Sequence, residues 1–447
     1  MQHIRVSLIS LGCARNLVDS EVLLGHVVEE GLEIAVAPED ADVVVVNTCG
    51  FIEEAKQESI DTILEVCELK NQGRVKGILA VGCLAQRYGE ELREELGDVD
   101  AFLGITDYTG IPGLIRKLVN GSSIHYASTV DGGNPKSART DENRLLLTPK
   151  SYAYLRISEG CNHTCTFCAI PSMRGRNRSK PLDVLTEEVR NLGRNGVKEV
   201  VVIAEDSTAY GLDVGRKRSI HTLMQTLADV EEIEWLRLMY AYPHTVLPEL
   251  TEVMREHSTI VPYLDIPIQH ISSRMLRGMK RGVSSEQVRG ILWRLRDEVP
   301  GIVVRTTLIV GFPGETDRDF EELRGFVEEY RFERMGAFVY SREEGTPASD
   351  LPGQVDPALA EARRGELMEL QREIMSEENR RLVGQELRVL VDGLEEGGSG
   401  LVGRSFRDAP EIDGVVHLPA GDLRPGDMTT ARITRAEGYD LHGVVDS

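Results

Sequence analysis

Three cysteines lie within one short stretch in the spacing C-x-x-x-C-x-x-C: Cys161, Cys165 and Cys168. Three thiolates on one loop can hold three corners of a four-iron cluster, although such clusters usually take four cysteines. No fourth cysteine lies nearby, so one iron would stay open to bind and reduce a substrate, much as a catalytic zinc keeps one open position. The alternative is a zinc site or reduced structural thiols. It is disfavoured because zinc spacings usually run in C-x-x-C pairs with four ligands.

A second set of three cysteines is spread over residues 1 to about 120, where strand-like and helix-like runs alternate. This alternation is typical of a doubly wound α/β domain with a parallel sheet. The strand ends of such a sheet share one edge, so Cys13, Cys49 and Cys83, which follow successive strands, should converge into a second three-thiolate site. The alternative is three unrelated buried cysteines. The predicted strands are Arg5–Ser10, Asp42–Asn47 and Lys76–Val81.

The seventh cysteine, Cys67, follows Ile60, Ile63 and Leu64 in the i, i+3, i+4, i+7 pattern of one helix face. We expect it to be a small core residue and not a ligand.

Residues 151–383 show six further strands separated by helical patterns, which predicts a partial (β/α)6 barrel resembling a TIM barrel. Active sites of such barrels collect at the strand C-terminal ends. Glu205 and Gln269 stand at two of these ends, and Gly311-Phe312-Pro313-Gly314-Glu315-Thr316 follows another. The strands are Tyr154–Ser158, Glu199–Ala204, Leu236–Ala241, Tyr263–Ile268, Val304–Val310 and Met335–Ser341, followed by a helix at about 355–383.

Three features of this region have both a functional and a structural interpretation. The Gly311–Thr316 turn opens a helix and could form a cofactor wall, since glycine permits close approach and helix N-termini favour anions. The cation run Met173–Lys180 could be a solvated face or could clamp a carboxylate of the cofactor or an acidic substrate. We expect His163 to pack or face solvent. His270 could contact cofactor or substrate, but no general acid–base partner is visible for either ring.

The two remaining segments lack the alternation of strand-like and helix-like runs seen in the rest of the chain. Residues 121–150 are rich in turn residues, including Gly121-Ser122-Ser123 and Asp131–Pro135, and are predicted to be a linker with mobile loops. Residues 384–447 contain short strands broken by glycines, which predicts a small antiparallel barrel. From Gln385 onward there are 12 acidic and 6 basic residues, whereas an oligonucleotide-binding barrel should carry the opposite sign.

The totals limit the class of protein. A chain of 447 residues suggests two to four domains. The formal net charge of -22 argues against nucleic-acid binding and favours a basic protein partner. An odd number of cysteines, no N-terminal signal pattern and no membrane-length apolar run predict a soluble, cytoplasmic protein without membrane contact, and we expect a monomer.

The cysteine spacing and several long stretches resemble the radical S-adenosylmethionine methylthiotransferases, and in particular the branch that modifies ribosomal protein S-12. The resemblance runs nearly from end to end. The stretches that carry it are Ser10-Leu11-Gly12-Cys13, Asn16–Glu21, Asn47–Ile52, Tyr152–Cys161, Ile170–Gly175, Gly403-Arg404-Ser405, Asp408–Gly414 and Tyr439-Asp440-Leu441.

The resemblance implies three domains and two cofactor types. Residues 1–120 would be the methylthiotransferase N-terminal domain, 121–150 a linker, 151–383 the radical core and 384–447 a TRAM barrel. Cys13, Cys49 and Cys83 would hold an auxiliary 4Fe–4S cluster, and Cys161, Cys165 and Cys168 the radical-generating 4Fe–4S cluster. S-adenosylmethionine would bind the open iron and contact the residues Glu205, Gln269, Arg305, Gly311, Pro313, Gly314 and Glu315.

The implied reaction replaces a β-carbon hydrogen of one aspartate in S-12 with a methylthio group, after a deoxyadenosyl radical abstracts that hydrogen. It needs a sulfur source and an electron donor. The sequence departs from the family pattern at two places. Ala14-Arg15 stands where Pro-Lys is usual, so the positive charge is kept, and Glu205 stands where Gln is expected. Two alternatives stay open: a tRNA-adenosine methylthiotransferase with the same core, and a two-cluster electron carrier without a substrate.

Overall fold

The computed structural model describes residues 3–105, 108–121, 126–128, 141, 143–215, 217–395, 397–398 and 400–445. Among these residues no helix combines the length and the apolar composition needed to cross a membrane. The strands are β1 (Arg5–Ser10), β2 (Glu33–Ile34), β3 (Val43–Thr48), β4 (Gly77–Gly82), β5 (Ala101–Leu103), β6 (Tyr126–Ser128), β7 (Tyr152–Arg156), β8 (Ser158–Glu159), β9 (Arg178–Ser179), β10 (Glu199–Ile203), β11 (Trp235–Leu238), β12 (Ile260–Asp265), β13 (Val303–Val310), β14 (Arg334–Val339), β15 (Glu386–Leu394), β16 (Leu401–Ser405), β17 (Val416–Leu418), β18 (Met428–Glu437) and β19 (Asp440–Val445). The helices are α1 (Ala14–Glu29), α2 (Glu53–Asn71), α3 (Cys83–Glu95), α4 (Ile111–Val119), α5 (Ile170–Arg174), α6 (Leu182–Arg194), α7 (Ile220–Ala228), α8 (Pro248–Glu256), α9 (Ser273–Gly278), α10 (Ser285–Glu298), α11 (Asp317–Tyr330) and α12 (Pro357–Arg381).

The N-terminal part forms a six-stranded sheet in the order β2-β1-β3-β4-β5-β6, and every neighbouring pair is parallel. Helices α1 and α4 pack on one face and α2 and α3 on the other. Because both faces are covered, β3 is buried along its whole length. The predicted doubly wound parallel sheet is confirmed. The sequence did not predict β2, β5 and β6, since two or three residues are too short to show a period.

The central part forms a second parallel sheet of six strands in the order β14-β13-β12-β11-β10-β7. These six strands correspond to the six that the sequence predicts, with shifted ends. Strand β12, for example, ends at Asp265, because Pro267 has no N–H to donate to a neighbouring strand. Helices between the strands pack on the sheet around a core that includes Leu185, Leu223 and Leu323. The sheet stays open, as expected for a partial barrel.

The C-terminal part is a closed barrel in the order β15-β16-β17-β19-β18. Its strand pairs are antiparallel except β17 with β19, which is parallel. The long helix α12 leads into it, close to the predicted helix at 355–383.

The loop 406–415 of this small barrel inserts into the central partial barrel. Tyr152 and Tyr154 on β7 donate hydroxyl hydrogen bonds to the Glu411 carboxylate, at 2.8 and 3.0 Å. Tyr263 on β12 donates to Asp413 at 2.6 Å. Residues 409–412 of the loop line a cavity together with Cys13, Ile203 and Tyr240, so the loop reaches through the interior of the partial barrel to the segment that carries Cys13.

The predicted linker 121–150 is only partly covered by the described residues. The turn-rich Asp131–Pro135 and most of Gly121-Ser122-Ser123 lie outside them. Strand β6 falls within the linker and extends the N-terminal sheet. Further on, the backbone N–H groups of Leu145 and Leu147 donate to the Glu21 carbonyl and carboxylate, at 3.0 and 2.9 Å. This end of the segment is therefore fixed against α1.

Candidate functional site

The loop Cys161–Cys168 leaves the second sheet at the carboxyl end of β7. Two backbone hydrogen bonds fix it: Cys161 N–H donates to the Gly175 carbonyl at 3.0 Å, and Cys168 N–H to the Cys165 carbonyl at 3.2 Å. The antiparallel pair β8 and β9 brackets the loop. The His163 N–H points at the Cys161 sulfur from 3.5 Å. The three thiols are thus presented by one braced loop, where the strand order places the mouth of the partial barrel.

The protein surrounds these thiols with donors and also buries them. Arg281 Nη1 lies 3.4 Å from the Cys165 sulfur, and the Tyr242 hydroxyl lies 3.8 Å from it. Burial raises the pKa of Cys161 to about 12 and that of Cys168 to about 11. Without a metal these two thiols hold their protons at neutral pH, and metal binding would release them.

The segments that carry the three N-terminal cysteines adjoin one another at the carboxyl edge of the first sheet, and their joint binding of a cluster stays a prediction. Cys13 precedes α1, Cys49 follows β3, and Cys83 is the first residue of α3. A Cβ at Gly12 would lie 2.8 Å from the Cys49 Cβ, and one at Gly50 would lie 2.7 Å from the Leu84 Cα. The three loops therefore touch one another in series, and glycine is needed where they meet.

The electrostatic surroundings of these cysteines differ. Burial raises the pKa of Cys83 to about 12, because Arg174 offsets only part of the desolvation. Burial also acts on Cys13, but there Arg15 and Arg174, together with backbone N–H groups of Asn16 and Arg15, outweigh it and hold the pKa below its usual value. Cys13 is therefore the most readily ionised thiol of this set.

A cavity of about 230 Å³ adjoins the loop Cys161–Cys168. It brings together five of the predicted site residues: the three cysteines with Glu205 and Gln269. Residues from the first sheet's side, Arg15 and Phe51, complete it, so the cavity lies between the two sheets. The lining residues are Arg15, Phe51, Cys161, His163, Cys165, Phe167, Cys168, Ile170, Glu205, Tyr240, Ala241, Tyr242, Pro267, Gln269, Arg281 and Thr307.

The turn Gly311–Thr316 is not among the lining residues of this cavity, and its polar groups have partners within the protein. Glu315 accepts from the Gly311 N–H at 2.9 Å and from Arg363 at 2.7 Å, and Gly314 N–H donates to the Gly353 carbonyl at 2.7 Å. The structure thus gives Glu315 a bracing position. Contacts of Gly311, Pro313, Gly314 and Glu315 with a cofactor stay predictions.

Arg305 is also directed away from the cavity lining. It donates to Asp265 at 2.9 Å and lies 3.7 Å from Asp413 in the inserted loop. Its predicted contact with a cofactor likewise stays a prediction, while the structure shows it joining the central and C-terminal barrels.

The two histidines differ from each other. His163 lines the cavity, stacks on the Tyr242 ring at 3.7 Å between centroids, and its Nε2 lies 2.6 Å from Asp206 Oδ2. His270 is fully buried, and its Nδ1 accepts from the Ile271 and Ser272 N–H groups, both at 2.9 Å. Burial lowers its pKa to about 3. A role of His270 at the cofactor finds no support in this arrangement, since the ring braces a turn.

The solvated interpretation of the cation run Met173–Lys180 was wrong for two of its members. Arg174 and Lys180 are buried, whereas Arg176 is exposed. Arg174 Nη2 donates to Asn16 Oδ1 at 2.8 Å and to Asp19 Oδ2 at 3.0 Å, and it lies 3.7 Å from the Cys83 sulfur.

Arg174 belongs to a buried charge network between the two cysteine sites, and the sequence analysis missed this network. Its Nη1 lies 3.4 Å from both Glu159 oxygens, and its Nε lies 3.7 Å from Glu205. A signal was available on α1, where Asn16, Asp19, Ser20 and Glu21 are polar beside apolar core positions. The network comprises Arg15, Asp19, Asp141, Arg156, Glu159, Arg174, Lys180 and Glu205.

Comparison with protein families matches three parts of the chain. Residues 5–104 match the uncharacterized protein family UPF0004, residues 155–327 the radical SAM superfamily, and residues 383–445 the TRAM domain. A solved structure of similar fold is the radical S-adenosylmethionine methyltransferase TsrM from Kitasatospora setae. It has 14% identity and a TM-score of 0.57, over 83% of this chain and 89% of that one. At this identity the likeness shows the fold alone.

Curated relatives match the whole chain. A protein of Anaeromyxobacter sp. (strain Fw109-5) is 48% identical over 446 residues, which cover 100% of this chain and 94% of the relative. One of Geotalea uraniireducens (strain Rf4) is 45% identical over 443 residues, covering 99% and 98%. Both are named ribosomal protein uS12 methylthiotransferase RimO. The chain belongs to the family of ribosomal protein uS12 methylthiotransferases, within the radical SAM superfamily.

Proposed function

We propose that this protein replaces a β-carbon hydrogen of one aspartate in the small-subunit ribosomal protein uS12 with a methylthio group. The observation that carries the proposal is the adjacency of the two cysteine sites. Arg174 lies 3.7 Å from the sulfur of Cys83 and 3.7 Å from Glu205, which lines the cavity beside Cys161, Cys165 and Cys168. A radical-forming site and a sulfur-carrying site must both reach one carbon atom, so they must adjoin.

The donor sets fit two 4Fe–4S clusters, each held by three cysteines. Cys13, Cys49 and Cys83 would hold the auxiliary cluster, and the loop Cys161–Cys168 the other. Among the described residues no three His, Cys, Asp or Glu side chains are grouped around the position of a single metal ion. Bound clusters and S-adenosylmethionine would supply the electron, the carbon radical and the sulfur for the reaction.

The residues of the chain prepare the site for that chemistry in two ways. The lining of the cavity contains apolar side chains, among them Phe51, Phe167 and Ile170, which exclude water from reactive species. Glu205 and Gln269 also line the cavity. The Glu205 carboxylate is ion-paired with Arg15 and Arg174, whereas Gln269 Oε1 is buried without a hydrogen-bond partner. A buried acceptor of this kind is costly unless a partner satisfies it, so Gln269 fits a donor of the cofactor or substrate.

The charge of the chain supports a protein substrate over RNA. The formal net charge is -22, and the C-terminal barrel is acidic as well. A basic ribosomal protein is attracted to such a surface, whereas the phosphates of tRNA are repelled. We propose that the monomer acts in the cytoplasm on free or ribosome-bound uS12, with an electron donor and a sulfur source as further partners. The domain bounds 1–120, 121–150, 151–383 and 384–447 belong to the same proposal.

Mass spectrometry of uS12 from a deletion strain, with and without the restored gene, tests the proposal. We expect the methylthio mass on the target aspartate only when the gene is present. Full modification in the deletion strain would refute it, and a loss confined to a tRNA adenosine would favour the tRNA-modifying alternative.

A second assay separates the enzyme from a two-cluster electron carrier. The reconstituted protein is incubated anaerobically with dithionite and S-adenosylmethionine, and deoxyadenosine is measured. We expect deoxyadenosine to form and to disappear in Cys165→Ala. A carrier would yield none, and its formation by Cys165→Ala would refute the assignment of this loop.

A further inference from the structure

Two guanidinium groups line the cavity between the sheets, and their donors are used differently. Arg281 directs Nη1 toward the Cys165 sulfur at 3.4 Å and donates from Nη2 to the Pro267 carbonyl at 2.6 Å. Arg15 donates from Nη1 to the Ala204 carbonyl at 2.7 Å. Its Nε is buried beside Glu205 Oε1, at 3.4 Å and without a hydrogen bond. Among the described residues the guanidinium hydrogen-bonds through Nη1 alone, so Nη2 is the donor that Arg15 keeps for a carboxylate.

Arg15 is held firmly in this position. Its guanidinium lies 5.0 Å from the centroid of the Tyr240 ring, and Nε lies 3.4 Å from Glu205 Oε1. The arginine side chain is only 13% exposed. Glu205 acts as a counter-charge, so that the free protein does not hold a bare buried cation, while its geometry leaves both Glu205 oxygens without a hydrogen bond.

The backbone around the same cavity is strained at two residues. Tyr240 has φ +60° and Gln269 has φ +71°, values that non-glycine residues rarely adopt. Strain of this kind gathers at ligand sites, where the surrounding structure holds it in place. Arg15 and both strained residues line the same cavity.

We infer that Arg15 binds the side-chain carboxylate of the target aspartate. This inference rests on the proposed function. The β-carbon to be modified is bonded directly to that carboxylate carbon, so a charged hydrogen bond from Arg15 Nη2 to the carboxylate restrains the position of the reacting C–H bond. Arg15 follows Cys13 by two residues and lines the cavity of Cys161, Cys165 and Cys168. The contact thus places the β-carbon between the two cysteine sites.

The same contact selects the class of substrate. An adenosine base is neutral and offers no carboxylate, so it would leave Arg15 Nη2 without a charged partner. A site built around a charged hydrogen bond rejects a ligand that lacks the partner group. Arg15 thereby favours an acidic side chain over a nucleobase.

A double-mutant cycle between Arg15 and the target aspartate tests the inference. Binding of two fluorescent uS12 peptides, one with the target aspartate and one with asparagine there, is measured by anisotropy on the iron-loaded protein. For Arg15→Met we expect about 10- to 100-fold weaker binding of the aspartate peptide, the loss expected for a hydrogen bond to a charged group. The asparagine peptide should bind the wild-type protein as weakly as the aspartate peptide binds Arg15→Met, and it should bind Arg15→Met no more weakly than it binds wild type. Arg15→Lys should retain part of the wild-type affinity for the aspartate peptide.

Additive losses in the cycle would overturn the inference, as would a variant that weakens S-adenosylmethionine binding and leaves peptide binding intact. Arg176→Met is the matched control, because Arg176 is exposed. This variant should bind both peptides as tightly as the wild-type protein does. Iron content per chain checks that each variant loads its clusters. If Arg15→Met does not take up iron, the affinities of the wild-type protein and of Arg15→Lys for the two peptides decide whether Arg15 contacts the carboxylate.

Failure of the proposed function gives a different result. In that case wild type forms deoxyadenosine but leaves the aspartate peptide unmodified. If wild type modifies the peptide and Arg15→Met binds it as tightly as wild type, only the role of Arg15 is refuted.

Discussion

Replacing Arg174 by Met removes the cation that joins the two cysteine sites. The guanidinium is 1% exposed, and its loss would leave Glu205 with Arg15 alone, at 3.4 Å. Asp19 and Glu159 would still be paired with Arg156. Breaking a buried ion pair costs about 3–5 kcal/mol. Because Arg156 remains, we expect the lower end, a loss of about 3 kcal/mol in the free energy of unfolding.

Denaturant unfolding of the apoprotein measures this loss, with Arg176→Met as the control two residues away. We also expect iron to fall from about eight to about four atoms per chain, because Arg174 lies 3.7 Å from the Cys83 sulfur and helps to offset its desolvation. A loss under about 0.5 kcal/mol, inside the range of ordinary surface substitutions, would refute the reasoning, as would full iron loading.

Three further predictions concern other parts of the molecule. The His270 ring has a pKa of about 3 when folded and 6.5 as its usual value, so it lowers stability by about 1.4 kcal/mol per pH unit as pH falls from 6.5 toward 3. His270→Asn keeps an acceptor that does not titrate, so the melting temperature of this variant should fall less between pH 7.5 and 5.5 than that of the wild-type protein. Parallel plots of melting temperature against pH would contradict this. Cys165→Ala should lose about four irons while Cys67→Ala loses none, since Cys67 packs in the core with its pKa raised by burial to about 11; equal iron in both would remove the distinction. Arg404→Met should speed proteolysis between α12 and β15, because Arg404 pairs with Glu199 at 2.6 Å across the two barrels, and an unchanged cleavage rate would show that this pair does not hold the barrels together.

The sequence predicted those features that a local pattern determines. The run Val43–Val46 is apolar at every position, and the structure buries it on both faces. The adjacency of the segments that carry Cys13, Cys49 and Cys83 followed from strand order, because parallel strands end at one edge. The core position of Cys67 followed from helical periodicity and is confirmed.

The features that the sequence could not predict depend on contacts between distant segments. A run of cations looks the same whether it faces water or a buried carboxylate, so Arg174 and Arg176 could not be distinguished. The position of Arg15 in the cavity depends on the packing of the first sheet against the second, which no local pattern in the sequence shows. The Gly311–Thr316 turn has the composition of a ligand-binding turn, but Arg363 on the distant helix α12 takes up the Glu315 carboxylate.

The inserted loop 406–415 has a consequence for any shortened form of this protein. Arg334 pairs with Asp408, and Tyr263 donates to Asp413 at 2.6 Å. A chain that ends before residue 384 would lose both acidic partners and expose the interior of the partial barrel to water as far as Cys13, which shares a cavity with residues 409–412. Inactivity of such a fragment would therefore indicate a damaged catalytic domain. The contribution of the small barrel to substrate selection has to be measured with substitutions on its outer surface, in the intact chain.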